Sequence, residues 1–184
     1  MRSIPLRTAW KIIYWNVVLA VLIVSFGSLR FLRRDHQYDR LIADVCRAQG
    51  VNPRLVSALV WEESRFKPRC VGKAGEIGLM QVTSVAAGDW ARAQNNRAFS
   101  RNDLFNPETN LQAGTWYLAR AIRYWSRVYP DPLPAALAEY NAGRSNAQRW
   151  AVGCSNSRTF WEGISYPTTK RYIHNILKRY RGKV

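Results

Sequence analysis

Apolar residues beyond position 36 recur in a pattern that is typical of amphipathic helices. They repeat at three- and four-residue spacing over residues 38–49, and Gly50 predicts the end of that helix. The same spacing predicts a second helix over residues 54–65, with Asn52 as its N-cap and Pro53 in its first turn. The sequence lacks the sustained alternation of apolar and polar residues that would predict a large sheet. The pattern therefore predicts a mostly α-helical fold.

Further helices are predicted in the second half of the chain. Residues 85–94 form a helix-like run, and Asn106 followed by Pro107 predicts the start of a core-facing helix. Three prolines break the chain before an alanine-rich helix that Gly143 ends. Residues 170–183 contain six basic side chains and no acid, which is typical of a solvated helix face. A small hairpin is the only sheet structure expected, in the glycine-rich stretch 72–78.

The longest apolar segment lies near the N-terminus. Residues 12–29 carry no charge over eighteen positions, about the minimum length for a helix that crosses a membrane. Basic residues flank both ends, and Trp10, Tyr14 and Trp15 lie where an interfacial aromatic belt would be. A cleaved signal peptide is the alternative, but no small-x-small cleavage site precedes the basic residues at 30–34. We therefore expect an N-terminal transmembrane helix within residues 1–36 and a separate domain over residues 37–184.

The charge of the chain predicts an anionic partner. Lys and Arg outnumber Asp and Glu by 28 to 12, which gives a formal net charge of +16. Nucleic acid, phospholipid head groups and the carboxylate-bearing peptides of a cell wall all fit such an excess. Dispersed arginines and the lack of a recognisable nucleic-acid module count against nucleic acid. No second histidine lies near His36, so no metal site is expected.

Two adjacent carboxylates, Glu62 and Glu63, lie inside the apolar helix predicted over residues 54–65. A carboxyl group held against apolar neighbours has a raised pKa, and it can then act as a general acid at neutral pH. Spacing does not choose between the two, because Glu63 shares a stripe with Val56 and Val60 while Glu62 lies with two leucines. A solvated surface pair at a helix end is the alternative interpretation.

Five segments resemble the motifs of the Slt-type lytic transglycosylases. The first two are ESRFKP at 63–68 and GEIGLMQ at 75–81, against E-S-x-F-x-P and G-A-x-G-L-M-Q in the family. The third begins at Asn106, which stands in place of Asp, and the fourth is AEYNAG at 138–143. The last is ISYPTTKRYI at 164–173, where Thr168 replaces the family's Glu and Lys170 its Arg. Together these segments cover residues 37–180 in the family's order.

This resemblance implies a lysozyme-like helical domain that cuts peptidoglycan glycan strands. It implies cleavage of the β-1,4 bond between N-acetylmuramic acid and N-acetylglucosamine with formation of 1,6-anhydromuramic acid, and it requires no cofactor. The catalytic acid maps onto Glu63, and Glu62 is then its neighbour. The substrate-binding residues that we expect are Ser64, Gly78, Leu79, Met80, Gln81, Tyr117, Tyr140, Asn141 and Tyr172.

Because peptidoglycan lies outside the inner membrane, we expect a single-pass inner-membrane protein with its catalytic domain in the periplasm. An oxidising periplasm permits a disulfide, and a bridge between Cys70 and Cys154 is one hypothesis for the three cysteines. Cys46 is interpreted as a buried helix residue.

Two other functions stay open at this point. One is a hydrolytic lysozyme, in which Glu76 or Asp89 would position a water molecule. The other is a cell-wall-binding module without activity, and the presence of Glu63 speaks against it.

Overall fold

The computed structural model describes residues 14–19, 21 and 37–182. The chain divides into two compact units between Tyr38 and Asp39. Residues 14–19 and 21 are helical, but most of the predicted membrane segment over residues 12–29 lies outside the described residues. Within the described ranges, none of the helices is both long and apolar enough to span a bilayer.

The second unit is built from α-helices, most of them joined by short connections, with a longer one over residues 65–83. Its described helices are α1 (Asp39–Gln49), α2 (Pro53–Ser64), α3 (Ser84–Ala93), a 3-10 helix (Arg101–Phe105), α4 (Pro107–Trp125), α5 (Leu133–Ala142), α6 (Arg144–Ala151), α7 (Ser157–Gly163) and α8 (Pro167–Tyr180). The mostly helical fold expected from the apolar pattern is therefore confirmed. Helices α6 and α7 were not predicted.

The predicted helix boundaries are confirmed by their capping contacts. The Asn52 side chain accepts the Arg54 backbone N–H at 2.9 Å, and the Asn106 side chain accepts that of Glu108 at 2.9 Å. Gly50 follows α1 with a φ of +68°, a left-handed conformation that glycine adopts without strain. Pro134 does not break the chain as expected but lies in the first turn of α5, where a proline costs no helix hydrogen bond.

The long helix α4 lies at the centre of the unit, packed against α1, α3 and α5. Helix α2 packs against α1 and α8, and α5 packs against α6, α7 and α8. One part of the core is aromatic, because the ring of Trp125 lies 5.8 Å from the rings of both Tyr129 and Phe160. This arrangement brings α2, α5 and α8 close together although they are far apart in sequence.

A rudimentary hairpin connects α2 to α3. Ile77 forms isolated antiparallel bridges with Val71 and Val82, and the described residues contain no longer strand. Gly78 has a φ of +83°, and a Cβ at this position would lie 2.1 Å from the Asn110 side-chain nitrogen. Only glycine therefore lets the hairpin approach α4 so closely. The small hairpin predicted for this stretch is confirmed.

The three cysteines are free thiols in this structure. The hypothetical bridge between Cys70 and Cys154 is not formed, and the Cys154 Sγ instead lies 3.2 Å from the Trp150 carbonyl oxygen. Cys46 is fully buried in α1, as its position in the apolar stripe predicted.

Candidate active site

Glu63 lies in the last turn of α2, where that helix meets α8. The helix ends because Arg65 takes the left-handed conformation with a φ of +53°. From α8, the Tyr172 hydroxyl donates a hydrogen bond to Glu63 Oε1 at 2.5 Å. A half-buried carboxyl group with one phenolic donor is thus fixed at the junction of two helices.

Burial is the main influence on the ionisation of Glu63. It raises the pKa of this carboxyl group to about 7, and the nearby charges of Glu62 and Glu76 act in the same direction. The hydrogen bond from Tyr172 opposes this rise because it stabilises the carboxylate. At neutral pH a large fraction of Glu63 therefore carries a proton, as a general acid requires.

Glu62 has different surroundings from Glu63. Its Oε1 accepts a hydrogen bond from the Asn175 side chain of α8 at 3.0 Å. Its Oε2 lies 3.7 Å from the Arg65 guanidinium at the surface. The structure thus separates two carboxylates that helical spacing left equivalent, because only Glu63 receives the hydroxyl of Tyr172.

Several residues expected to bind substrate support the wall of the site. Ser64 is buried, and its hydroxyl donates to the Leu79 carbonyl oxygen at 2.8 Å, which fastens the hairpin to α2. The side chains of Leu79 and Met80 are fully buried. Gly78 is buried as well. These four buried residues help to position the neighbouring groups, and their binding of substrate stays a prediction.

Asn110 fastens the other side of the hairpin to α4. Its side-chain nitrogen donates to the carbonyl oxygens of Ile77 at 2.8 Å and Leu104 at 2.9 Å. Its side-chain oxygen accepts the Met80 backbone N–H at 2.8 Å. Asn110 lies four residues after Asn106, where the third family-like segment begins, and the sequence analysis assigned it no role. The structure identifies it as the buried residue that satisfies three backbone groups at once.

Two tyrosines complete the surroundings of Glu63. The Tyr140 hydroxyl donates to the Met80 carbonyl oxygen at 2.8 Å, and its ring packs edge-to-face against Tyr117 at 5.8 Å. Burial, and then the charge of Glu63, raises the pKa of both Tyr140 and Tyr172 well above the usual value. Both side chains therefore stay protonated phenols in the physiological range.

A pocket of about 170 Å³ has Tyr140 in its lining. Four of the expected binding residues meet there, namely Gln81, Tyr117, Tyr140 and Asn141. Its remaining lining residues are Val82, Thr83, Ala86, Glu139 and Gly143. Asn141 is held by α8, because its side-chain oxygen accepts the Thr169 hydroxyl at 2.8 Å. Thr168, the departure from the family motif, precedes Thr169 in the sequence and is exposed.

Glu139 is a site residue that the sequence analysis missed. It is fully buried, and its two oxygens accept the Trp125 indole N–H at 2.9 Å and the Arg144 Nε–H at 3.0 Å. The Arg144 guanidinium also lies over the Tyr124 ring at 4.7 Å. A lone acid in an alanine-rich helix was the available signal. The ion pair fixes the start of α6 against α5 beneath the pocket.

Within residues 14–19, 21 and 37–182, no group of three or more His, Cys, Asp or Glu side chains is arranged to hold a metal ion.

A helical domain with one half-buried, protonatable glutamate, whose charge acts on a tyrosine that lines a pocket, defines a lysozyme-like class of protein. Residues 40–159 match the family model described as the transglycosylase SLT domain, and the chain belongs to this family. The resemblance seen in the sequence motifs is thereby confirmed.

Curated relatives of the same family include membrane-bound lytic murein transglycosylase C of Salmonella arizonae. The two sequences are 34% identical over 122 residues, which is 64% of this chain and 34% of the relative. The protein of the same name from Cronobacter sakazakii matches with the same identity and coverage, 34%, 64% and 34%. The matched region thus spans only about a third of the length of these relatives.

Solved structures with the same fold include two lytic transglycosylases. The 70-kDa enzyme of Escherichia coli gives a TM-score of 0.70 at 23% identity, over 96% of this chain and 29% of that chain. An inactive mutant of lytic transglycosylase Slt of Pseudomonas aeruginosa gives 0.69 at 22% identity, over 80% and 24% of the two chains. These likenesses confirm the lysozyme-like helical fold.

The location expected from the sequence, a single-pass inner-membrane protein with its catalytic domain in the periplasm, is wrong. The matching relatives are named membrane-bound lytic murein transglycosylase C, and those proteins are lipoproteins of the outer membrane. The error has a physical cause, because apolar length and flanking charge report affinity for a bilayer and not which bilayer it is.

Proposed function

We propose that this protein is a peptidoglycan lytic transglycosylase. The observation that carries the proposal is the state of Glu63, whose pKa is raised to about 7 by burial and whose Oε1 receives the Tyr172 hydroxyl at 2.5 Å. The names of its relatives support the same activity. Peptidoglycan glycan strands are then the substrate.

In the first step, Glu63 acts as general acid. It protonates the oxygen of the β-1,4 bond between N-acetylmuramic acid and N-acetylglucosamine, and the bond from C1 of the muramyl residue to that oxygen breaks. Glu63 becomes a carboxylate at this moment. The hydrogen bond from Tyr172 stabilises that carboxylate, so it favours the proton transfer.

In the second step, the same carboxylate acts as general base. It removes the proton of the muramyl C6 hydroxyl, and the C6 oxygen attacks C1 to give the 1,6-anhydro product. Glu63 is protonated again, and no water is consumed. One carboxyl group thus serves both steps, whereas the usual glycosidase needs two.

The pocket beside Tyr140 holds the sugar next to Glu63 in this proposal. Gln81, Tyr117, Tyr140 and Asn141 line it and offer amide, phenol and ring surfaces, which suit the hydroxyl groups and faces of a sugar. The Tyr140 hydroxyl also donates to the Met80 carbonyl oxygen of the hairpin. The same side chain therefore lines the pocket and holds the hairpin in place.

Product analysis tests the proposal. Purified peptidoglycan incubated with the enzyme is expected to release muropeptides that end in 1,6-anhydromuramic acid, which are lighter by one water than lysozyme products and lack a reducing end. Mass spectrometry separates the two outcomes. Release of reducing-end products alone contradicts the transglycosylase chemistry, and release of neither product contradicts the enzyme assignment.

We also propose that the apolar segment over residues 12–29 attaches the protein to a membrane and that residues 37–184 form the enzyme domain. Eighteen charge-free residues with aromatic and basic flanks support this division. The full chain is expected to sediment with membranes and to be released by detergent, whereas a chain that begins at residue 37 stays in solution. A full chain that remains in the soluble fraction contradicts the proposal.

A further inference from the structure

One side of α4 carries aromatic and basic side chains at the border of the pocket beside Tyr140. Tyr117, Arg120 and Tyr124 follow one another at three- and four-residue spacing, so they lie on the same side of this helix. Tyr117 lines the pocket. The Arg120 guanidinium lies over the Tyr117 ring at 4.6 Å and over the Trp116 ring at 5.2 Å. A cation is thus stacked on a side chain that lines the pocket.

Arg144 brings a second cation to the border of the same pocket, at the start of α6. It follows the lining residue Gly143, and its Nε–H donates at 3.0 Å to Glu139, another lining residue. Its guanidinium lies over the Tyr124 ring at 4.7 Å, and the Tyr124 hydroxyl accepts the Gln148 amide at 3.1 Å. The ion pair and the ring together hold this guanidinium in place.

The two arginines keep charge and N–H groups that the protein does not use. The bond to Glu139 occupies only the Nε–H of Arg144, and its terminal nitrogens donate no hydrogen bond to a residue that the structure describes. The Arg120 Nη1 lies 3.7 Å from Asp89 Oδ2, which is longer than a hydrogen bond, and Asp89 is also bound by Arg92. Three cations here share two carboxylates. The side chains of Arg120 and Arg144 are 32% and 38% exposed, so a ligand can reach them.

Both guanidiniums act on the same lining residue. Burial, and then the charge of Glu139, raises the pKa of Tyr117, whereas the charges of Arg120 and Arg144 lower it. The rings of Tyr117 and Tyr124 are seven residues apart, which is about 10 Å along a helix. The two cations therefore form a basic strip along the pocket border and not a single point. An arginine held on an aromatic ring presents a planar pair of N–H groups that matches a carboxylate.

We propose that Arg120 and Arg144 bind carboxylates of the peptides attached to the glycan strand, so that the enzyme selects strands that carry these peptides. The proposal rests on the function proposed above, in which the neighbouring pocket holds the sugar. The peptides of peptidoglycan are attached to its muramyl residues, so a peptide leaves the strand beside the bond that is cut. A strip of two cations at the border of the sugar pocket suits an extended chain that carries carboxylates.

Three forms of one peptidoglycan preparation test this role. The first is untreated, the second has its carboxylates coupled to methylamine, and the third has lost its peptides to an amidase. Binding of the full-chain Glu63→Gln variant, which does not digest the polymer, is measured by co-sedimentation in detergent at about 0.15 M salt. We expect an apparent Kd at least about 10-fold lower for the untreated form than for either other form, since hydrogen bonds between charged groups are the strong ones.

Variants in the same Glu63→Gln background assign the selectivity to the two arginines. Arg120→Gln should reduce the Kd ratio between the methylamide and untreated forms to less than about 3-fold, because a stacked cation is lost. Arg120→Lys keeps the charge without the planar pair of N–H groups, so its ratio should be intermediate. Arg144→Lys should lower the ratio as well, and it leaves a cation for the buried Glu139.

Arg123→Gln is the matched control. It removes the same charge from an exposed position of α4, and it corrects for the general attraction of a basic protein to an anionic polymer. Its Kd ratio should stay close to that of the parent. Circular dichroism verifies that each variant is folded.

The outcomes separate this inference from the proposed function. Equal affinities for the untreated and methylamide forms, or a ratio that Arg120→Gln and Arg123→Gln lower alike, overturn the inference and leave the transglycosylase proposal intact. Weaker binding only after the peptides are removed shows recognition of the peptide without its charges, and it also overturns the inference. A ratio that falls in the Arg120 and Arg144 variants alone supports it. Because binding is the measurement, that result holds whether or not the wild type releases anhydro products.

Discussion

Glu62 and Glu63 are neighbours in the sequence, but they contact different residues of α8. Glu62 accepts the Asn175 amide, whereas Glu63 accepts the Tyr172 hydroxyl. The contact from Tyr172 joins residues 109 positions apart, so no local pattern in the sequence could reveal it. Helical spacing did not choose between the two carboxyl groups and left a solvated surface pair open, whereas tertiary packing places Glu63 against the Tyr172 hydroxyl.

The pH dependence of activity follows from the surroundings of Glu63. The charged or titratable groups around it are Glu62 on its own helix, Tyr172 of α8, Tyr140 of α5 and Glu76 of the hairpin. Because the acid form is required and the pKa is about 7, we expect kcat/KM to fall as the pH rises through about 7. A rate that still rises above that pH contradicts Glu63 as the acid.

Tyr172→Phe tests the hydrogen bond to Glu63. Removing a donor that stabilises the carboxylate should raise the pKa of Glu63 further and move the fall in kcat/KM to higher pH. We expect a rate loss of roughly 10-fold at neutral pH, because the carboxylate formed in the first step loses its partner. Tyr166→Phe is the control, since that ring is exposed and packs on Trp150. An unshifted pH profile in Tyr172→Phe contradicts this role.

At the scale of the elements, the helices that could be predicted are those that begin with capping residues readable in the local sequence. Helices α2 and α4 begin with an asparagine cap and a proline, and both were predicted from the sequence. Helices α6 and α7 were not predicted, because they have eight and seven residues and few apolar positions. α6 also lacks a side-chain cap. Packing against α5 stabilises both helices, and this tertiary contribution cannot be predicted from the local sequence.

The junction between the hairpin and α4 depends on Asn110. Asn110→Ala removes three hydrogen bonds and leaves the Ile77 and Leu104 carbonyl oxygens and the Met80 N–H without this partner. We expect the free energy of unfolding to fall by about 2–4 kcal/mol. Urea unfolding followed by circular dichroism measures it. Gln112→Ala on the same helix is the control and should cost less than about 0.5 kcal/mol. Equal stability of the two variants contradicts the anchoring role.

At the scale of the whole molecule, the burial of Glu63 makes the free energy of unfolding depend on pH. The pKa of Glu63 is raised from the ordinary carboxyl value of 4.5 to about 7, so between these values the folded state binds more protons than the unfolded state. The contribution of Glu63 to stability is thus most favourable below about 4.5 and is lost as the pH rises to about 7.

Glu63→Gln should remove this dependence. The amide has no charge to bury, so the variant should gain roughly 1–2 kcal/mol over the wild type at pH values above the raised pKa, after allowance for partial exposure. Below the ordinary carboxyl pKa the two proteins should be about equally stable. Thermal unfolding across this pH range measures the difference. A wild type that is the more stable protein at alkaline pH contradicts the burial cost.

The central claim is that Glu63 transfers the proton, and its replacement by glutamine tests this most directly. Glu63→Gln keeps the shape and the hydrogen bonding but cannot supply a proton, so the release of muropeptides from purified peptidoglycan should fall at least about 10²-fold without loss of folding. Glu62→Gln is the matched control and should stay within about 3-fold of the wild type, because its carboxylate only adds to the field at Glu63. A fully active Glu63→Gln enzyme would contradict the assignment of the active site.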